Sequence, residues 1–64
     1  MTFSNLPLNT TVLYNDTFNT DFRMIVIGQT KDKFGTWTKV LTETGVQEYV
    51  NGRTEIDGNR YTIA

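Results

Sequence analysis

Gly35-Thr36-Trp37-Thr38-Lys39-Val40-Leu41-Thr42-Glu43-Thr44-Gly45-Val46-Gln47-Glu48-Tyr49-Val50 decides how this chain is read. β-branched and aromatic residues on either side of Thr44-Gly45 make two strands and a tight turn, because the branched Cβ suits a pleated surface and glycine tolerates the turn's backbone. The only tryptophan rides on the first strand and a tyrosine on the returning one. A hairpin of this kind points to a small twisted β-barrel in which a turn gathers aromatic groups.

Working outward, Asn15-Asp16 and Asn19-Thr20-Asp21 bracket one loop, and Lys31-Asp32-Lys33 with Gly35 makes a second. Asn51-Gly52 and Asp57-Gly58-Asn59 add two more turns. The intervening segments predict strands over about Thr11 to Asn15, Phe22 to Gln29, Thr36 to Thr42, Val46 to Val50 and Arg60 to Ile63. Arg53 to Ile56 reads as a sixth short strand or a helical turn. No window repeats apolar residues at helical spacing, so the class is all-β. The expectation is one five-stranded barrel spanning residues 1–64.

Alternation along the strands decides which side chains reach the core. In the second strand Phe22, Met24 and Val26 share one face while Arg23, Ile25 and Ile27 share the other, so both faces are largely apolar. A strand bent into two parts of a barrel wall accounts for this, with Gly28 supplying the kink. A partner chain covering the second face is the competing reading. In the hairpin, Val40, Val46 and Val50 facing inward would leave Trp37 and Tyr49 as an outward aromatic pair. Trp37 and Leu41 facing inward would abolish that pair, and a lone tryptophan in a small domain is more often a core anchor.

Composition excludes several classes of function. The chain has 64 residues and neither cysteine nor histidine. It therefore lacks thiolate nucleophiles, imidazole acid-base groups and the zinc sites built from them. Asp16 with Asp21, and Glu43 with Glu48, are the remaining carboxylate pairs, and both read as solvated surface charges. Asp57-Gly58-Asn59 is better explained as a turn than as part of a calcium loop, which needs more oxygen ligands at fixed positions. The expectation is a protein that is not an enzyme and uses no cofactor or metal. A domain this small buries only about 60% of its unfolded surface, so its stability should be modest.

Net charge is −1 and the isoelectric point about 5.0, which provides no bulk field for a polyanion. The first eight residues lack a charged segment followed by an apolar one, and Met24 to Ile27 is too short to cross a bilayer. A cytoplasmic protein without membrane partners is expected.

The order Val12-Leu13-Tyr14-Asn15, long loop, strand, loop, Trp37, Glu43-Thr44-Gly45, Tyr49-Val50 resembles the order of elements in an SH3 domain. The resemblance covers roughly Val12 to Ile63. It implies an SH3-like barrel and a groove for proline-rich helices lined by Tyr14, Trp37 and Tyr49. A dense acidic first loop, a second tryptophan beside Trp37 and a groove proline are missing, Pro7 lying before the barrel. The barrel therefore carries over more readily than the proline-rich ligand.

Two classes of function follow. The first is a protein-binding module contacting an unidentified protein through Trp37, Tyr14, Tyr49, Arg23 and Lys39, since aromatic and arginine anchors favour interfaces. Size and the start at Met1 lead to the expectation of a complete tiny gene product, a phage or mobile-element adaptor or inhibitor acting on a host protein. The alternative is a single-stranded nucleic-acid binder, with Tyr14, Trp37 or Phe34 stacking on bases and Lys31, Lys33 and Lys39 tracking phosphates. A homodimer formed through an open strand edge, or through the second face of Phe22 to Ile27, is a third expectation.

Overall fold

The computed structural model describes residues 1–16, 18 and 21–64. A short 3-10 turn, Phe3–Asn5, precedes five strands: β1 Thr11–Tyr14, β2 Phe22–Asp32, β3 Gly35–Thr42, β4 Gln47–Asn51 and β5 Tyr61–Ile63. They form one sheet in the order β4-β3-β2-β1-β5, with every neighbouring pair antiparallel.

The largest departure from the predicted boundaries is in β2, which runs on through Asp32. The turn after it contracts to Lys33 and Phe34 because the Asp32 carboxylate accepts the Phe34 N–H at 2.8 Å, the local bond that makes aspartate a turn former. Gly35, at φ 134°, then opens β3. Of the first loop, Thr17, Asn19 and Thr20 lie outside the described residues. Arg53 to Ile56 is neither a full strand nor a helical turn; Glu55 forms a single bridge with Thr2.

Register places the core on one face of the sheet. Val12 is opposite Met24, while Met24 is opposite Thr42 and Val26 opposite Val40. All five of these side chains are buried, and Thr38 beside them is fully so. Trp37, Lys39 and Leu41 alternate with these residues and project from the other face, as a period of two requires. The outward reading of Trp37 and Tyr49 is therefore the one realised. Val46 is the exception within it, since it sits in the turn before β4 and is 51% exposed.

β2 changes register between Val26 and Gly28, so Ile27 is the extra residue of a β-bulge. Bulges bend a strand and sharpen its twist; the second apolar face of β2 is the outer surface of the sheet, where Ile25 lines an open depression. Gly28 is not forced by sterics: a Cβ there would stand 4.0 Å from the Lys39 Cβ, an ordinary contact. The irregularity expected at Gly28 is present as this bulge, and sterics do not require glycine for it.

The N-terminal segment is part of the core. Phe3 is fully buried and Leu6 nearly so, and the Phe3 ring meets Tyr61 edge-on with centroids 5.0 Å apart. Backbone bonds fasten the segment to the connection after β4. The Phe3 N–H donates to the Thr54 carbonyl at 3.0 Å, the Ser4 N–H to Gly52 at 2.9 Å, and the Ile56 N–H to Met1 at 2.7 Å. Gln29 anchors the other side, its amide donating to the carbonyls of Phe3 and Leu6. Its amide oxygen accepts the hydroxyl of buried Thr38 at 2.8 Å, so that a polar group inside the sheet is not left unpaired.

The expected closed barrel is corrected to an open, curled sheet. Among the described residues no strand pairing joins β4 to β5, and the sheet is not closed into a barrel by hydrogen bonds. β5 is only three residues long and is spent on β1, while the first residues of the chain occupy the neighbourhood of residues 52–56. Close packing at that junction requires glycine at position 52. A Cβ there would lie 2.8 Å from the Thr36 carbonyl oxygen and 3.0 Å from the Ser4 Cβ.

Candidate functional site

The face opposite the core carries most of the residues marked out from sequence. Trp37 and Tyr49 line one shallow depression of about 340 Å³ with Thr30 and Asp32. Lys39 is the cross-strand partner of Tyr49, and its ammonium stands 5.8 Å from the centre of that ring, within cation–π range. Trp37 is half-buried and Tyr49 is 58% exposed. The rings are exposed enough to be touched, and paired strands hold the backbone beneath them.

The same face continues across β2. Arg23 is exposed and, with Thr11, Ile25, Leu41 and Glu43, borders a second depression of about 240 Å³. Ile25 and Leu41 are opposite each other in the pairing of β2 with β3 and give this depression its aliphatic part, while Lys39 stands between Leu41 and Trp37 along β3. Arg23 belongs to an interior strand of the sheet, not to an edge. Arg23 and the Trp37–Tyr49 pair thus belong to separate depressions of one face.

Tyr14 is not part of this surface. It shares the core side of β1 with Val12 and packs against the core with Phe22, Val50 and Tyr61. Its ring lies 5.2 Å from that of Tyr61, tilted by 45°. The groove implied by the resemblance, with Tyr14, Trp37 and Tyr49 in one wall, is thus not assembled: the sheet separates Tyr14 from the other two. Tyr14 instead helps to line a groove of about 220 Å³ with Phe22, Met24, Glu48, Val50 and Tyr61.

Three side chains of that groove, Phe22, Glu48 and Tyr61, were not marked out by sequence reasoning as functional. A signal existed in the pairing logic, since once Val12 points inward Tyr14 must follow it, along with the residues opposite Tyr14 on both neighbours. Those residues are Phe22 and Tyr61. Burial raises the Tyr61 hydroxyl above its usual pKa of 10.0; Tyr14 and Glu48 act in the same sense and Arg60 against it. Glu48 and Glu43 border different depressions and do not form a carboxylate pair.

The remaining charged features have local explanations. The Lys33 ammonium lies 5.2 Å from the centre of the Phe34 ring at the β2–β3 turn, where Phe34 is 77% exposed. Asp57 accepts the Asn59 N–H at 2.8 Å and the Arg60 N–H at 3.2 Å. The Asn59 bond is the main reason its carboxyl titrates below the ordinary value of 3.8. Asp57-Gly58-Asn59 is accordingly a turn, with Gly58 at φ 78°.

Comparison with protein-family models, with curated proteins and with solved structures gave no match.

Proposed function

We propose that this chain is a non-enzymatic protein-binding module that contacts its partner through the outer face of β2, β3 and β4. The observation that carries this reading is the face of the sheet that the chain's own core does not use, where Trp37 and Tyr49 line one depression and Arg23, Ile25 and Leu41 a second. Aromatic and arginine side chains on a rigid support are the usual anchors of protein interfaces. Lys39, held over Tyr49, supplies charge between the two depressions. The strand order β4-β3-β2-β1-β5 supports reading the sheet as an opened relative of the SH3-like barrel. The ligand differs from a proline-rich helix because Tyr14 stands on the opposite face from Trp37. Such a module suits a small adaptor or inhibitor of another protein.

A single-stranded nucleic acid is the second reading, favoured by the lysine–aromatic pairs at Lys39–Tyr49 and Lys33–Phe34. Asp32 beside Trp37 and the net charge of −1 weigh against it. One experiment separates them. Partner cross-links are mapped on the full chain and on a Trp37→Ala/Tyr49→Ala variant, and labelled oligonucleotides are titrated at low and moderate salt. The proposal expects cross-links on the outer face that vanish in the variant, with no oligonucleotide binding. Oligonucleotide affinity that falls steeply with salt would replace it with the second reading.

A further inference from the structure

The groove on the core side is built differently from the outer face. Its walls are three aromatic side chains lying side by side across the sheet: Tyr61 is opposite Tyr14 in β5 and β1, and Phe22 is opposite Tyr14 in β1 and β2. Met24 and Val50 complete an apolar floor, and Glu48 brings a carboxylate to the same space. Glu48 lies on β4 opposite fully buried Val40, so the alternation of the strand turns it toward this face. Among the described residues it forms no ion pair; the one salt bridge joins the N-terminal ammonium to Glu55. Arg60, whose charge is felt by Tyr61, borders a neighbouring depression with Asn15, Asp16 and Asn59.

Aromatic faces attract cations through the negative potential above the ring, most effectively when the cation is weakly hydrated. Guanidinium fits both parts of the groove. It is planar, so it can stack on a ring, it sheds water more readily than an ammonium, and its N–H groups can bond a carboxylate in pairs. The methylene stem of an arginine side chain would lie along Met24 and Val50, as such stems do on apolar surface.

We infer that the groove lined by Tyr14, Phe22, Tyr61 and Glu48 receives an arginine side chain of a partner protein. The guanidinium stacks on the aromatic wall and donates to the Glu48 carboxylate. This site is separate from the outer face and does not depend on the function proposed for that face.

The test is a titration of the full-length, isotope-labelled chain with N-acetylarginine methylamide, followed by the resonances of each backbone amide and aromatic ring. N-acetylcitrulline methylamide, which keeps the shape and removes the charge, and N-acetyllysine methylamide are the controls. The arginine probe is expected to shift Tyr14, Phe22, Glu48 and Tyr61, the citrulline probe to shift them far less, and lysine to bind more weakly than arginine. Glu48→Gln, an exposed change that leaves the core intact, should weaken the arginine response roughly two- to fivefold, the range of an exposed ion pair. Trp37→Ala/Tyr49→Ala should leave that response unchanged, so failure here is distinguishable from failure of the outer-face reading. Equal responses to arginine and citrulline, equal responses to arginine and lysine, shifts confined to other residues, or no response at all would each overturn the assignment.

Discussion

Replacing Phe3 by alanine tests whether the N-terminal segment is structural. The ring is fully buried, and truncating a buried phenylalanine typically costs about 3–5 kcal/mol in transfer and cavity terms. Within that total the edge-on contact with Tyr61 contributes on the order of 1 kcal/mol. Domains carry roughly 0.05–0.15 kcal/mol of stability per residue, so this chain has about 3–10 kcal/mol in all. Phe3→Ala should therefore remove most of the folded population or lower the denaturation midpoint drastically. The assay is urea unfolding followed by circular dichroism and by Trp37 fluorescence, with Phe3→Leu as the milder comparison. A loss below about 1 kcal/mol for Phe3→Ala, well under the range for buried aromatics, would mean that the segment is not packed into the sheet and would refute the reasoning.

Other predictions follow from the same packing. Gly52→Ala drives a methyl group into the Thr36 carbonyl that accepts the Gly52 N–H and should cost about 2–4 kcal/mol from crowding and weakened bonds. Gly28→Ala should change stability by less than about 1 kcal/mol, and thermal melts of the two variants give the contrast. Gln29→Ala strips partners from Thr38 and from the carbonyls of Phe3 and Leu6; a loss of about 1–3 kcal/mol in urea unfolding is expected for such orphaned groups. Tyr61 has a raised pKa when folded, so the unfolded chain releases this proton first. Stability from Tyr61 is then fully present below pH 10 and is lost as pH rises through the higher folded value. Unfolding curves collected across that range should be flatter for Tyr61→Phe.

The strands were legible because their punctuation is chemical. Asn, Asp and Gly at the turns, with threonine, valine and isoleucine between them, constrain backbone conformation locally, and the observed strands differ from expectation only near their ends. The N-terminal segment was not legible in this way. Phe3 and Leu6 look like the start of any chain, and their burial depends on Gly52, Thr54 and Gln29, which are distant in sequence. Closure was overestimated for a similar reason, since whether β4 meets β5 depends on what fills the space between them. The orientation of Trp37 was legible only as a choice between two parities. Val40 and Thr38 on the buried face decided it, and that decision also separated Tyr14 from Trp37.

Trp37 and Tyr49 are proposed to serve contact and not folding. The most direct measurement compares Trp37→Ala/Tyr49→Ala with the unaltered chain in urea unfolding and in the yield of mapped partner cross-links. The expected result is a stability loss of no more than about 1–2 kcal/mol, as for partly exposed strand side chains, together with loss of the cross-links. A variant that unfolds, or one that keeps its fold and its cross-links alike, would contradict it.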